Sequence, residues 1–142
     1  MSFDNTYFHN VDKKGRIFIP AKFREELGER FYVSIPLDGQ PCISVYTEEI
    51  WNTLEKKFAE IPMVQRRALL RVIHSFASDE SCDAQGRILI SPALRKYAHI
   101  EDSVCIVGAG DTIEIWNKQS WEDNCNNLDS ESISELMKSI NF

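Results

Sequence analysis

One segment of this chain occurs twice. Residues 12–24 read D-K-K-G-R-I-F-I-P-A-K-F-R, and residues 83–95 read D-A-Q-G-R-I-L-I-S-P-A-L-R. Six of the thirteen positions are identical: the Asp, the Gly, the first Arg, both Ile and the final Arg. The likeness continues beyond the segment. Apolar runs at 31–35 and 42–46 flank a turn with Asp38-Gly39, and they return as 103–107 and 112–116 around the turn 108–111. Trp51 returns as Trp121; the offset is 71 residues up to the turn and 70 after it, a one-residue loop difference. Each copy supplies only four short strands, too few to bury a satisfactory core alone. The two copies must therefore share one, and 142 residues suffice for a shared core.

Local signals set the order of elements. Residues 7–11 predict a strand that ends at Asp12. Asp12-Lys13-Lys14-Gly15 predicts a hairpin turn with Gly15 at positive φ, and residues 16–19 predict the return strand. Three consecutive apolar residues there, Ile17 to Ile19 and again Ile88 to Ile90, predict a strand covered on both faces. Pro20 suits the first turn of a short helix, which Gly28 stops. Thr47 and Asn117 predict helix caps. Trp51, Leu54, Phe58 and Ile61 form one helical stripe, and Pro62 opens a second helix with Leu69, Val72, Ile73 and Phe76 on its apolar face. Arg66, Arg67 and Arg71 lie on its other side. A last amphipathic segment carries Ile133, Leu136, Met137 and Ile140 and predicts a helix packed on its own chain or on a neighbour. The expectation is an α+β protein of two ββαββα repeats, 5–51 and 78–121, joined by a helical link, 52–77, and followed by a helical tail, 122–142. The two repeats pair face to face into one pseudo-twofold barrel.

Charge is distributed unevenly. The net charge is −6, yet residues 1–71 hold 11 Lys+Arg against 10 Asp+Glu, and residues 72–142 hold 5 against 12. Residues 10–24 alone carry +4. A local positive surface on an acidic chain is compatible with phosphate binding. Cys42, Cys82, Cys105 and Cys125 have no C-x-x-C spacing, and His9, His74 and His99 are scattered, so reduced packed thiols and no metal site are expected. No nucleophile elbow, phosphate-binding Gly-rich loop or metal-ligand cluster points to an enzyme or to a cofactor. No leader pattern or membrane-length apolar run is found, and a cytoplasmic protein is expected.

The doubled D-x-x-G-R-I-x-I…R pattern, with Tyr7 and His9 before it, R-x-L-L-R-x-x-x-x-x-A at 67–77, L-R-K-Y-A at 94–98 and the paired Trp51 and Trp121, resembles the MraZ family of bacterial transcriptional regulators. These are built from two tandem AbrB-like halves. The resemblance implies a double-split β-barrel with the swapped hairpins made within one chain. It also implies ring-like homo-oligomers, a nucleoid location, and binding to repeated sites in double-stranded DNA before a division and cell-wall gene cluster that contains the protein's own gene. The chain has Asn5 where the family often has Gly, and Ser91 where it often has Pro.

On this reading Lys13, Lys14 and Arg16 are the DNA-contacting residues of the first turn, and Arg87 is the counterpart in the second. Lysine neutralises phosphate as a point charge, whereas arginine grips phosphate or a guanine edge with two donors. Asp12 and Asp83 fix their turns or orient the arginines. Gly15 and Gly86 serve the backbone, and Arg24 and Arg95 are structural or interface residues. Because Lys13 and Lys14 become Ala84 and Gln85, the first turn is the stronger contact. The alternative is an antitoxin-like protein-interaction module of the same fold, motivated by the acidic C-terminal region and its helix.

Overall fold

The computed structural model describes residues 2–141. The ββαββα order recurs as expected. The first copy contains β1 (Thr6–Asn10), β2 (Arg16–Phe18), α1 (Ala21–Leu27), β3 (Phe31–Ser34), β4 (Ile43–Thr47) and α2 (Glu48–Ala59). After α3 (Met63–Phe76), the second contains β5 (Ser78–Glu80), β6 (Arg87–Leu89), α4 (Pro92–Tyr97), β7 (Ser103–Gly108), β8 (Thr112–Asn117) and α5 (Lys118–Asn126), with α6 (Ser130–Lys138) last.

The strands do not pair as two successive hairpins would. β1 leaves β2 and pairs with β7, β5 pairs with β3, and β2 pairs with β6, all antiparallel. The expected β1–β2 hairpin is therefore reduced to its turn. The residues on either side pair instead with strands of the other copy. The result is a six-stranded sheet in the order β1-β7-β8-β4-β3-β5 and a separate ribbon, β2-β6. Exchanging the copies reads that order backwards, so a pseudo-twofold axis passes between β4 and β8 and between β2 and β6. Hydrogen bonding among the described residues closes no barrel.

Register explains the core. Cross-strand partners share a face of a sheet. Tyr7, Ile106, Ile115 and Ile43 form one row, and Ile113, Val45 and Val33 the next. These rows face the ribbon, whose Ile17 and Ile88 are opposed at the axis and are 0% and 2% exposed. Phe23 of α1 meets Tyr7 edge-on at 5.2 Å on the same side. On the outer side Trp51 of α2 stacks on Tyr32 at 5.0 Å, and Trp121 of α5 meets Trp116 at 5.5 Å. The two tryptophans thus occupy equivalent positions.

Caps behave as their chemistry requires. Thr47 accepts from the Ile50 amide at 3.1 Å, and Asn117 from the Ser120 amide at 3.0 Å. Pro20 sits just before α1 at φ −52°, one position earlier than a first-turn proline. Its counterpart Ser91 instead accepts from the Leu94 amide at 3.2 Å, with Pro92 opening α4. A hydroxyl cap thereby replaces the proline. Asn5, where the family often has Gly, is held in the left-handed region at φ 72°.

Two expectations are corrected. The apolar triplet is not covered on both faces: Leu89 is 56% exposed and Phe18 half-buried, because only one side of the ribbon rests on the sheet. Val72 is exposed rather than part of the α3 core face, since Ile73 takes the inward position. The α6 expectation is narrowed, not overturned: Ile133, Leu136 and Met137 are exposed and no residue of the helix is buried in its own chain, which leaves packing on a neighbour. No helix among the described residues is long and apolar enough to cross a membrane.

The two faces of the ribbon should respond differently to truncation. Ile88→Ala is expected to cost about 2–5 kcal/mol, the range for a fully buried aliphatic. Leu89→Ala should stay within about 0.5 kcal/mol. Urea midpoints of the two variants test the assignment of faces.

Candidate nucleic-acid interface

Each D-x-x-G-R segment folds into the same closed turn. The Gly15 amide donates to the Asp12 carbonyl at 3.0 Å, and the Asp12 amide to the Arg16 carbonyl at 3.0 Å. The second turn repeats both bonds, from Gly86 to Asp83 at 3.0 Å and from Asp83 to Arg87 at 2.9 Å. Gly15 and Gly86 stand at φ 81° and 79°, left-handed conformations that favour glycine and let a three-residue turn end in a bulge. The glycine carbonyls then join the halves: Ile19 donates to Gly86 at 2.8 Å, and Ile90 to Gly15 at 3.1 Å.

The aspartates organise the arginines. Asp12 Oδ1 accepts from the amides of Lys14 and Arg16, each at 2.9 Å, and Oδ2 accepts from Arg16 Nε at 2.6 Å. Asp83 makes the same set, with Gln85 and Arg87 amides at 2.9 Å and Arg87 Nε at 3.1 Å. The Arg16 amide, above all, holds the Asp12 carboxyl below its ordinary pKa, helped by the Arg16 side chain and the Lys14 amide. The Arg87 amide does the same for Asp83. One contact breaks the symmetry: Arg87 Nη1 also lies 3.6 Å from Asp12 Oδ2. Asp12 thus touches both guanidinium groups, and the four residues form one cluster across the axis.

The ribbon's alternation determines what faces outward. With Ile17 and Ile88 turned in, Arg16, Phe18, Arg87 and Leu89 share the outer side, paired as Arg16 with Leu89 and Phe18 with Arg87. Lys13 and Lys14 are exposed at the tip, and neither forms an ion pair among the described residues. All four sequence-derived cationic candidates therefore belong to one surface. Two further arginines reach it from the opposite half. The Arg24 guanidinium lies against Gly86 and 5.0 Å from the Phe18 ring centre, and Arg95 lies against Gly15. The linear pattern carries no mark of that exchange beyond the common spacing of the Gly and the second Arg in both copies.

Other parts of the surface are unsuited to an anion. A groove beside α1 and α2 is lined by Glu26, Glu29, Glu48, Glu49 and Asp111 with Arg30. The thiols of Cys42 and Cys105 are buried, and burial pushes both up, Cys105 to about 12, so they stay protonated. Arg66 of α3 donates to the Ala59 carbonyl at 3.1 Å, far in sequence and place from the ribbon.

The two halves of this geometry correspond to two matches of one family profile, MraZ protein, described as antitoxin-like, over residues 2–72 and 75–139. The chain belongs to the MraZ family. It is 43% identical over 141 residues to a protein of Clostridium tetani named Transcriptional regulator MraZ, covering 97% of this chain and 98% of that protein. A protein of Thermoanaerobacter sp. with the same name is 42% identical over 140 residues, 96% of each chain. One of Finegoldia magna, also so named, is 43% identical over 126 residues, 87% of each. For a member of this family, the outer face of the β2–β6 ribbon is the candidate interface.

Two measurements test this geometry. The carboxyls of Asp12 and Asp83 should titrate below the ~3.9 of a free aspartate in an NMR pH series. Because their folded-state pKa values are lowered, their contribution is present above the ordinary pKa and is lost as pH falls through the lowered values. Separately, Gly39→Ala, at φ 72° with nothing crowding an added Cβ, should cost only the backbone penalty of an alanine at positive φ. Gly86→Ala should cost more, because its Cβ would also displace the Arg24 guanidinium. Equal denaturation midpoints would mean that the arginine does not rest there.

Proposed function

We propose that this protein regulates transcription by binding double-stranded DNA with the outer face of the β2–β6 ribbon, carried on a split-barrel core. The observation that carries the reading is the convergence of Lys13, Lys14, Arg16 and Arg87 on one solvent-facing surface of an otherwise acidic chain. A two-stranded ribbon is narrow enough for the major groove. The lysines fix register on phosphates, and the arginines offer paired donors to phosphate or to guanine. Lys13 and Lys14 make the first turn the stronger contact, with Arg87 secondary. Asp12 and Asp83 act through the arginines they hold.

One ribbon binds weakly. Several ribbons on a homo-oligomer, spaced like repeated sites in a promoter, raise the effective concentration of each for the next. A ring is the closed form of such an assembly. The exposed apolar residues of α6 support a chain that is completed by association. The proposed target, supported by the family likeness, is DNA upstream of the protein's own gene in a division and cell-wall cluster, with the protein acting at the nucleoid. A second reading, a protein-interaction module, is supported by the antitoxin-like description of the family and by the same helix; co-purification of a small partner with loss of DNA affinity would favour it.

Arg16→Ala should abolish binding to the upstream DNA in a gel shift while leaving the oligomer size unchanged by light scattering. Affinity of the unaltered protein should fall steeply with salt on a double-logarithmic plot. Arg87→Ala should weaken binding less than Arg16→Ala. Unimpaired binding by Arg16→Ala would remove Arg16 from the interface, and a flat salt response would count against phosphate-led binding.

A further inference from the structure

The ribbon's outer face contains one group that phosphate recognition does not use. Leu89 is 56% exposed, directly opposite Arg16 and two residues along the same strand face from Arg87. Its equivalent across the pseudo-axis is Phe18, and that side chain is occupied: Arg24 lies over its ring at 5.0 Å and His9 meets its edge at 5.1 Å. Leucine has no ring face for a cation, so Arg95 does not repeat the Arg24 contact. It rests on the Gly15 turn, and its Nε has no hydrogen-bond partner among the described residues. The face therefore presents an uncovered isobutyl group between two arginines in one half, and a clamped aromatic in the other.

We propose that Leu89 reads sequence by packing against the 5-methyl group of a thymine in the major groove of duplex DNA. The inference rests on the DNA-binding reading of the ribbon and adds a specificity to it. Apolar contact with the thymine methyl is the one base-edge interaction in that groove that needs no donor or acceptor. Arg16 and Arg87 bring the ribbon to the phosphates or guanine edges on either side, and burying the isobutyl group on a methyl removes from water an apolar surface that the free protein leaves wet. A second copy of the chain is a poor occupant, because the same face of that copy brings its own Lys13 and Lys14 and like charges would meet. The asymmetry between Leu89 and Phe18 makes the two halves of one ribbon read different bases, so a single chain recognises a non-palindromic site.

The test removes only the methyl group. Full-length protein and Leu89→Ala are titrated against duplexes of the upstream DNA in which thymines are replaced one at a time by deoxyuridine. The unaltered protein should lose about fourfold in affinity at one thymine per site, the value of one methyl taken out of contact. Leu89→Ala should lose that sensitivity while keeping the same salt slope and the same response at every other position. Circular dichroism and oligomer size should be unchanged, since the side chain is exposed. The proposal is overturned if no thymine responds in the unaltered protein, or if Leu89→Ala keeps the same pattern of responses. It is also overturned if Leu89→Ala alters the oligomer size and not the pattern, because Leu89 then covers a protein face. Failure of the unaltered protein to bind any of the duplexes is a different result: it removes the DNA reading itself, and this inference with it.

Discussion

The pairing of β2 with β6 is the contact on which the rest depends. Only three residues of each strand take part, yet they place Ile17 opposite Ile88 at the pseudo-axis and seal the core from above. The same register turns Arg16 and Arg87 outward, because neighbours in a strand face opposite ways. The turn glycines then accept the amides of Ile19 and Ile90 from the other half. Core formation and presentation of the cationic surface are thus one event. A chain in which the halves failed to pair would lose both, and it would also expose β1 and β5 as edges with no sheet to join. Most contacts of this kind are distant in sequence, which makes assembly of the core a late and cooperative step rather than the folding of two modules in turn.

The duplication lays down a symmetric frame, and the differences between copies fall where function or local geometry asks for them. Lys13 and Lys14 against Ala84 and Gln85 tilt the charge of the ribbon towards one turn. Gly28 ends α1 at φ 76°, and His99 stands at the equivalent position after α4 at φ 55°. A left-handed histidine is less favourable than a left-handed glycine, and its carbonyl compensates by accepting from Asn117 Nδ2 at 2.7 Å. α3 covers the outer face beside Trp51, with Ser34 Oγ donating to the Ile73 carbonyl at 2.8 Å. No residue of α6, which follows α5 as α3 follows α2, is buried. The symmetric part builds the core, and the asymmetric part distinguishes two ends of the surface.

Much of this was legible in the residues. The repeat gave the number and order of elements, the glycines gave the turns, and Thr47 and Asn117 gave the caps. What the local residue pattern does not carry is partnership, which the family resemblance alone implied. A D-x-x-G turn between two apolar runs looks the same whether its strands pair with each other or diverge, because the turn's hydrogen bonds lie within five residues and carry no record of what lies beyond. The apolar triplet misled for a related reason. Ile-Phe-Ile and Ile-Leu-Ile fit a doubly covered strand, but the middle residue is apolar here while facing water, and composition does not separate a buried apolar group from one left outside. The crossing of Arg24 to Gly86 and of Arg95 to Gly15 depends on the pairing and was hidden with it.

An acidic chain that carries carboxylates inside the cluster proposed to meet phosphate looks self-defeating, and the hydrogen bonding of those carboxylates resolves the conflict. Each aspartate already accepts from two backbone amides and an arginine Nε, so its charge is spent on groups that are present before any partner arrives. Lowering of the pKa values of Asp12 and Asp83 has the same origin. Holding an arginine by Nε restrains the plane of its guanidinium, and Nη1 of Arg87 lies towards Asp12 across the axis. A long side chain that would otherwise lose rotamer freedom on binding has lost part of it in folding. The carboxylate costs some long-range attraction, which Lys13 and Lys14 restore, and in exchange it supplies a preset fork of donors. Because Asp12 touches both Arg16 and Arg87, the preset geometry extends across the axis and couples the two halves of the ribbon into one cationic surface.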